Sequence, residues 1–172
     1  PTNPYSASKA GADMMVNAYK KSYKLNITTI RANNIYGTRQ YPEKLISKSI
    51  YNFLNNKKMT IHGKGNNYRF YLSVHDFCDG MLKIIKKGKY QEIYNIASDK
   101  KYKVIEVVEF IANYLNKNFR KNIKYVNDRP FNDKIYKINC DKLKKLNWKT
   151  KRNLKEDMPA ICEWYKKNKN IF

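Results

Sequence analysis

An α/β fold is the class that this sequence predicts, and two observations carry it. Short runs rich in β-branched and aromatic residues, at 27–32, 59–62, 70–74, 93–96 and 123–126, alternate with longer stretches of helical periodicity. Such alternation favours strands joined by helical crossovers. In addition, 42% of the 172 residues are hydrophobic, enough to bury a core and too many for a disordered chain. No internal repeat or low-complexity linker interrupts the pattern.

Each element follows from local chemistry. Pro4 stands just ahead of residues 5–23, where Ala10, Met14 and Ala18 recur on one side of a helix. Residues 27–32 read as a buried strand that opens into Asn33-Asn34, and Tyr36-Gly37 turns the chain. A helix is expected over 42–55. Residues 59–62 form a short strand ended by Gly63-Lys64-Gly65-Asn66, and 70–74 form another. The next helix starts near His75-Asp76, with Asp76 as a first-turn charge, and runs to Lys87, where Gly88 suits a C-cap. A strand at 93–96, a helix at 104–116 and a strand at 123–126 follow. Arg129-Pro130 breaks the chain, and helices at 141–145 and 154–167 close it.

Composition excludes several classes. No stretch approaches the length of a membrane span, and no signal peptide opens the sequence, so a cytoplasmic protein is expected. Cys78, Cys140 and Cys162 stand far apart without metal-ligand spacing and read as reduced thiols. His62 and His75 cannot build a zinc site by themselves. The net charge of +22 raises nucleic acid as a partner, but the excess is nearly all Lys and is dispersed along the chain. Asn, Ile and Tyr are enriched beside Lys, as AT-rich coding would produce. A solvated basic surface is therefore the expectation.

The segment Pro4-Tyr5-Ser6-Ala7-Ser8-Lys9 carries the first hint of chemistry. A tyrosine and a lysine four apart share one helical face, with the ammonium close enough to stabilise a phenolate. The spacing is common in so Lys- and Tyr-rich a chain. It recurs at Tyr165 and Lys169, where a solvated helix face explains it. No Gly-rich turn joins a strand to a helix: Gly63-x-Gly65 is followed by Asn66-Asn67-Tyr68, so there is no dinucleotide fingerprint here.

Five segments in order give the pair its context: Pro4 to Lys9; Arg31 through Gly37; Gln40-Tyr41-Pro42-Glu43-Lys44-Leu45-Ile46; His62-Gly63-Lys64-Gly65 with Arg69; and Asp128-Arg129-Pro130-Phe131-Asn132-Asp133. With them the chain resembles the C-terminal half of the nucleotide-sugar 4,6-dehydratases of the extended short-chain dehydrogenase/reductase superfamily, most closely the dTDP-glucose and UDP-glucose enzymes. Leu146-Asn147-Trp148 and Glu163-Trp164-Tyr165 add to the likeness, which covers essentially the whole chain.

The resemblance implies the C-terminal part of a Rossmann-type doubly wound parallel sheet plus a smaller α/β substrate-binding domain. Residues 1–40 would end the NAD-binding domain, and 41–172 would mainly bind the nucleotide sugar. It also assigns roles. Tyr5 would be the base that takes the sugar 4-hydroxyl proton, and Lys9 would hold the nicotinamide ribose and stabilise the tyrosinate. Ile35 stands at a cofactor-facing position and offers only backbone groups there. Asn34 would hydrogen-bond the sugar or diphosphate. Lys44 and Leu45 match contacts to the nucleotide, with Glu43 orienting their loop. Thr60, Ile61 and His62 lie on the strand flanking the base, where His62 replaces the usual aromatic. Arg69 and Arg129 would clamp the diphosphate, a task for a planar fork. Asn132 replaces a His of many bacterial enzymes, and Phe131-Asn132-Asp133 is closer to plant and eukaryotic rhamnose-pathway enzymes that use UDP-glucose. Val104 stands where an Asn is frequent, and Tyr136 fits as a pocket residue.

The implied reaction oxidises C4 to a ketone, eliminates water across C5 and C6, and returns the hydride to C6 with NAD regenerated. The acid–base pair for elimination and the Gly-rich NAD turn are expected upstream of residue 1, so the chain alone is expected to be inactive. Glu106, Glu109, Asp76 and Asp79 do not substitute for that pair. The first helix would contribute to a homodimer in the full-length protein, and would expose apolar surface here. Alternatives are an epimerase, a UDP-glucuronate decarboxylase or a GDP-mannose 4,6-dehydratase, or a non-catalytic nucleotide-sugar binding remnant.

Overall fold

The fold is described from a computed structural model over residues 1–132, 134–135 and 137–169. The chain opens with helix α1 (Pro4–Ser22), set by a capping box. The Asn3 side chain accepts from the Ser6 amide at 2.9 Å, and Ser6 Oγ accepts from the Asn3 amide at 3.2 Å. Pro4 in the first turn has no amide hydrogen to lose. No residue of α1 is buried; Met14, Met15, Tyr19 and Tyr23 lie exposed along it.

Next come β1 (Thr29–Ala32), β2 (Asn34–Tyr36), α2 (Leu45–Leu54), β3 (Met59–His62), β4 (Tyr68–Ser73) and α3 (Val74–Lys87). They are followed by β5 (Ile93–Ile96), β6 (Lys101–Lys103), α4 (Val104–Tyr114), a 3-10 turn (Arg120–Asn122), β7 (Ile123–Val126), α5 (Asp141–Lys144) and α6 (Leu154–Lys167). Three small sheets result. β1 runs parallel to β5 with Thr29 opposite Ile93; β2 runs parallel to β4, which pairs antiparallel with β6; β3 runs parallel to β7 with Met59 opposite Ile123. Parallel pairing over helical crossovers is the architecture that the alternation predicts.

Two cores form between these layers. The larger packs Ile50 and Phe53 of α2, Ile61 of β3, Val108 and Ile111 of α4, and Met158 and Cys162 of α6. The smaller joins Leu72, Ile84, Tyr94, Ile96, Leu143 and Trp148 around β5, so residues from both sides of position 40 meet near β1.

Several elements differ from expectation. The 27–32 run becomes a late β1, and a separate β2 forms beyond it where a loop was expected, with Asn33 between the two sheets. α2 starts at Leu45, since 41–44 is a turn in which the Glu43 amide bonds the Tyr41 carbonyl at 2.8 Å. Gly88 caps α3 from an extended backbone (φ −71°, ψ 156°), so no left-handed cap is used. Asp76, expected as a helix-end charge, is buried and accepts the amides of Lys151 (3.1 Å) and Arg152 (3.0 Å). It holds the 148–152 loop while the Trp148 indole donates to its carbonyl at 3.2 Å.

Candidate functional site

The predicted residues come from α1, the start of α2, the strands β2, β3 and β4, and the loop after β7. Tyr5 lies on the first turn of α1 and is 72% exposed, with the Lys9 ammonium 5.8 Å from its ring centroid. The hydroxyl and ammonium are thus displayed together on an uncovered helix face. Across from them, Lys44 pairs with Glu43 at 2.8 Å. That contact raises the Lys44 pKa above its ordinary value, and Tyr5 lies within electrostatic reach of the same ammonium. The turn at 41–44 therefore brings Lys44 towards the α1 end that carries Tyr5.

Asn34 begins β2, and its side-chain amide donates to the Phe70 carbonyl at 3.2 Å. The carbonyl of Ile35 accepts from Gln40 Nε2 at 2.8 Å, so this backbone acceptor is engaged within the protein. The main-chain carbonyl of Gln40 in turn accepts from the Tyr165 hydroxyl. Loop 37–44 is thereby tied to both β2 and α6. Leu45 packs at the margin of the larger core, while Lys44 remains exposed.

The tightest constellation surrounds Arg69. Its Nη2 donates to Asn132 Oδ1 at 2.7 Å and its Nη1 to the Tyr68 carbonyl at 2.8 Å. Asn132 Nδ2 donates to Asp128 Oδ1 at 2.8 Å, and the same oxygen accepts the Arg129 amide at 2.8 Å. These contacts hold the Asp128 carboxyl below the usual range: the Asn132 bond contributes most, the Arg129 amide next, and the His62 and Arg129 charges add to it. Gly63 makes the approach possible. It has φ +56°, and a Cβ there would lie 2.9 Å from Asp128 Oδ2. Thr60 and His62 follow one another along β3, whose end faces this loop.

Sequence reading did not single out Asp128, Gln40 or Gly63 for these duties. Asp128 could have been found as an acid before Arg-Pro, where it can accept amides of the turn. Asn33 was missed as well: it is 5% exposed, and neither its Oδ1 nor its Nδ2 has a partner among the described residues. The expected contacts at Tyr136, and Asp133 of its motif, lie outside the described residues. Among the described residues no group of His, Cys, Asp and Glu could hold a metal ion. No helix there is long and apolar enough to cross a membrane.

The candidate residues thus comprise a hydroxyl–ammonium dyad on α1 with Lys44 in its electrostatic reach, and a guanidinium bonded to Asn132, which in turn bonds Asp128. The sequence profile of the GDP-mannose 4,6 dehydratase family matches residues 1–160. The chain belongs to that family. It is 44% identical over 168 residues to a trifunctional UDP-glucose 4,6-dehydratase/UDP-4-keto-6-deoxy-D-glucose 3,5-epimerase/UDP-4-keto-L-rhamnose-reductase of Arabidopsis thaliana, covering 98% of this chain and 25% of that protein. It is 39% identical over 173 residues to the dTDP-D-glucose 4,6-dehydratase of Homo sapiens, covering 98% of this chain and 49% of that one. The solved dTDP-glucose 4,6-dehydratase of Bacillus anthracis, a complex with NAD, superimposes with a TM-score of 0.88 at 39% identity, over 100% of this chain and 55% of that one. The chain thus spans a quarter of the plant relative and about half of the human one. These neighbours also confirm the Rossmann-type α/β class expected from the resemblance.

Proposed function

We propose that this chain is the substrate-binding half of an NAD-dependent nucleotide-sugar 4,6-dehydratase that acts on dTDP-glucose or UDP-glucose. The observation that carries the reading is the Arg69–Asn132–Asp128 chain, which holds a planar guanidinium in one bonded network with the Arg129 amide. A diphosphate is the ligand such a fork suits. The relatives named above support the reaction and the cofactor.

Residues 1–40 would complete an NAD-binding domain and 41–172 would mainly hold the nucleotide sugar. The residues present suit one end of a cofactor: Tyr5 and Lys9 are displayed without cover, and Ile35 lines the adjoining loop. Bound NAD would supply the hydride acceptor. Tyr5 would remove the 4-hydroxyl proton, Lys9 would stabilise the tyrosinate, and Arg69, Arg129 and Lys44 would anchor the diphosphate and nucleotide. Asn34 would orient the sugar. With the human relative roughly twice as long, elimination of water falls to groups outside this chain, which would be inactive by itself. A homodimer of the full protein accords with the bare α1 face.

The test compares the full native protein with its Tyr5→Phe variant on dTDP-glucose and UDP-glucose, following the 4-keto-6-deoxy product. Loss of the base should lower kcat by about 10²–10⁴-fold with little change in KM. Unchanged turnover in Tyr5→Phe would remove Tyr5 from the chemistry. Turnover by the 172-residue chain with NAD alone would overturn the division of labour.

A further inference from the structure

Along the sequence the lysines are dispersed, but the fold does not leave them so. Residues 44–75 contain six cationic side chains and no acidic one, and residues 110–127 contain four and none. β3 and β7 come from these two stretches and start side by side, Met59 opposite Ile123. α2 leads into β3 and α4 into β7 through twin turns. Asn56 (φ 54°) and Asn116 (φ 55°) take the left-handed conformation after each helix. The amides of Lys57 and Lys117 then reach back to the carbonyls of Asn52 (2.8 Å) and Ala112 (2.9 Å). The two turns touch, with Lys117 Nζ donating to Asn56 Oδ1 at 2.7 Å.

One edge therefore collects Lys57, Lys58, Lys117, Arg120, Lys121 and Lys124, and no ion pair involving any of them occurs among the described residues. Lys57 and Lys117 also suit the negative ends of the two helices, but the other four have no such reason to be there. Glu163, which reaches Tyr114 at the end of α4, is itself paired with Lys166 at 2.7 Å. Rings stand among the cations: Tyr125 is 54% exposed, and the Lys57 ammonium lies 5.6 Å from the Tyr51 centroid. The edge is at the amino ends of β3 and β7, about 10 Å along the strands from the His62 and Asp128 end, by the rise of a four-residue strand.

We propose that this edge is a docking surface for a single-stranded nucleic acid, with phosphates on the cations and bases on the tyrosines. It is a site separate from the nucleotide-sugar site and does not depend on that reading. Side-chain amides at Asn52, Asn55, Asn56 and Asn118 alternate with the cations, and no exposed aliphatic residue of the kind that enters a lipid surface lies at this edge. Four to six phosphate contacts predict a log–log salt slope of about −3 to −4.

The experiment uses the full native protein and a labelled oligouridylate of roughly 20 nucleotides, read by fluorescence anisotropy between about 50 and 200 mM salt. A Lys58→Glu/Lys121→Glu/Lys124→Glu variant is set against Lys20→Glu/Lys21→Glu/Lys89→Glu, which changes net charge equally elsewhere. The edge variant should bind at least ~30-fold more weakly and lose about two units of salt slope, and the control should stay within ~3-fold. Binding of UDP or dTDP by both variants should match the parent, which separates failure here from failure of the enzymatic reading. Equal losses in the two variants, or no oligouridylate binding at the lower salt, would overturn the proposal. So would displacement by inorganic polyphosphate at matched phosphate concentration, or binding to phosphatidylserine vesicles in place of RNA.

Discussion

Removing one oxygen from Tyr36 tests how the strand that carries Asn34 is held. Tyr36 is 2% exposed, and its hydroxyl donates to Asp157 Oδ2 at 2.8 Å, tying β2 to the first turn of α6. Burial, and then this bond to Asp157, push its phenol well above the usual tyrosine range, so the neutral donor is the form that the fold requires. Tyr36→Phe keeps the ring and leaves no cavity of consequence. A hydrogen bond to a charged acceptor contributes about 1.5–3 kcal/mol. Asp157 keeps Arg152 Nη1 at 3.1 Å and its side chain is 18% exposed, so water relieves part of the loss. The lower end, about 1.5 kcal/mol, is expected. For a protein of a few hundred residues that is a fall in Tm of roughly 3–6 °C. Thermal unfolding by circular dichroism, with urea midpoints beside it, measures it. An Asp157→Asn double-mutant cycle should return a coupling of about 1 kcal/mol. A Tm within about 1 °C of the parent, or full additivity in the cycle, would refute the tie.

Three further outcomes follow from the same geometry. Burial raises the phenols of Tyr36, Tyr71 and Tyr165, the last to about 12, and the Cys162 thiol to about 12. Their folded values lie above the unfolded ones, so this stability is complete below about pH 8, begins to fall near ~8.5 for the thiol and ~10 for the phenols, and goes on falling towards the folded values, about 12 for Cys162 and Tyr165. Thermal scans across that range should show a steady fall in Tm, and a flat profile would contradict the burial of these groups. Gly63→Ala forces a Cβ to 2.9 Å from Asp128 Oδ2 at φ +56°, costing about 1–2 kcal/mol and weakening UDP or dTDP binding in calorimetry. Gly11→Ala, with nothing within 4 Å of the added atom, is the matched change that should do neither. Arg69→Lys keeps the charge but loses the 2.7 Å bond to Asn132, so nucleotide affinity should fall by about tenfold or more; an unchanged Kd would show that charge alone suffices.

Strands declared themselves where side chains alone dictate burial. β3 and β5 occupy the expected residues because Met-Thr-Ile-His and Ile-Tyr-Asn-Ile each alternate inward and outward positions, and β7 does so through its β-branched Ile123 and Val126 although Lys124 and Tyr125 are both exposed. β6 was not legible: Lys101-Tyr102-Lys103 has no apolar pattern of its own and is a strand only because β4 lies antiparallel to it. Asp76 shows the same limit for polar residues. Its place near a helix start was readable, but its burial depends on amides 75 and 76 positions away. For the site, chemistry-bearing residue types were legible one at a time through family likeness. Their mutual engagement was not, because Arg69 and Asn132 meet only after β3 and β7 pair and the 128–132 loop folds back.

That engagement changes what Asn132 can do. Its Oδ1 is held by Arg69 and its Nδ2 by Asp128, so the carboxamide is used from both sides and its orientation is fixed. A flipped amide would set its NH₂ against the guanidinium and its oxygen against the carboxylate, two repulsions for two lost bonds. A direct bond from Asn132 to substrate would therefore break contacts that keep Arg69 in place. Asp128 then becomes the group on which the arrangement turns. Its carboxyl is kept ionised by the bonds that order Asn132 and the Arg129 amide, so one charge fixes a guanidinium and a turn together. Bonded to both Asn132 and the Tyr68 carbonyl, Arg69 has an orientation that a single ammonium could not reproduce, and that is the physical sense of an Arg in a chain that uses Lys almost everywhere else.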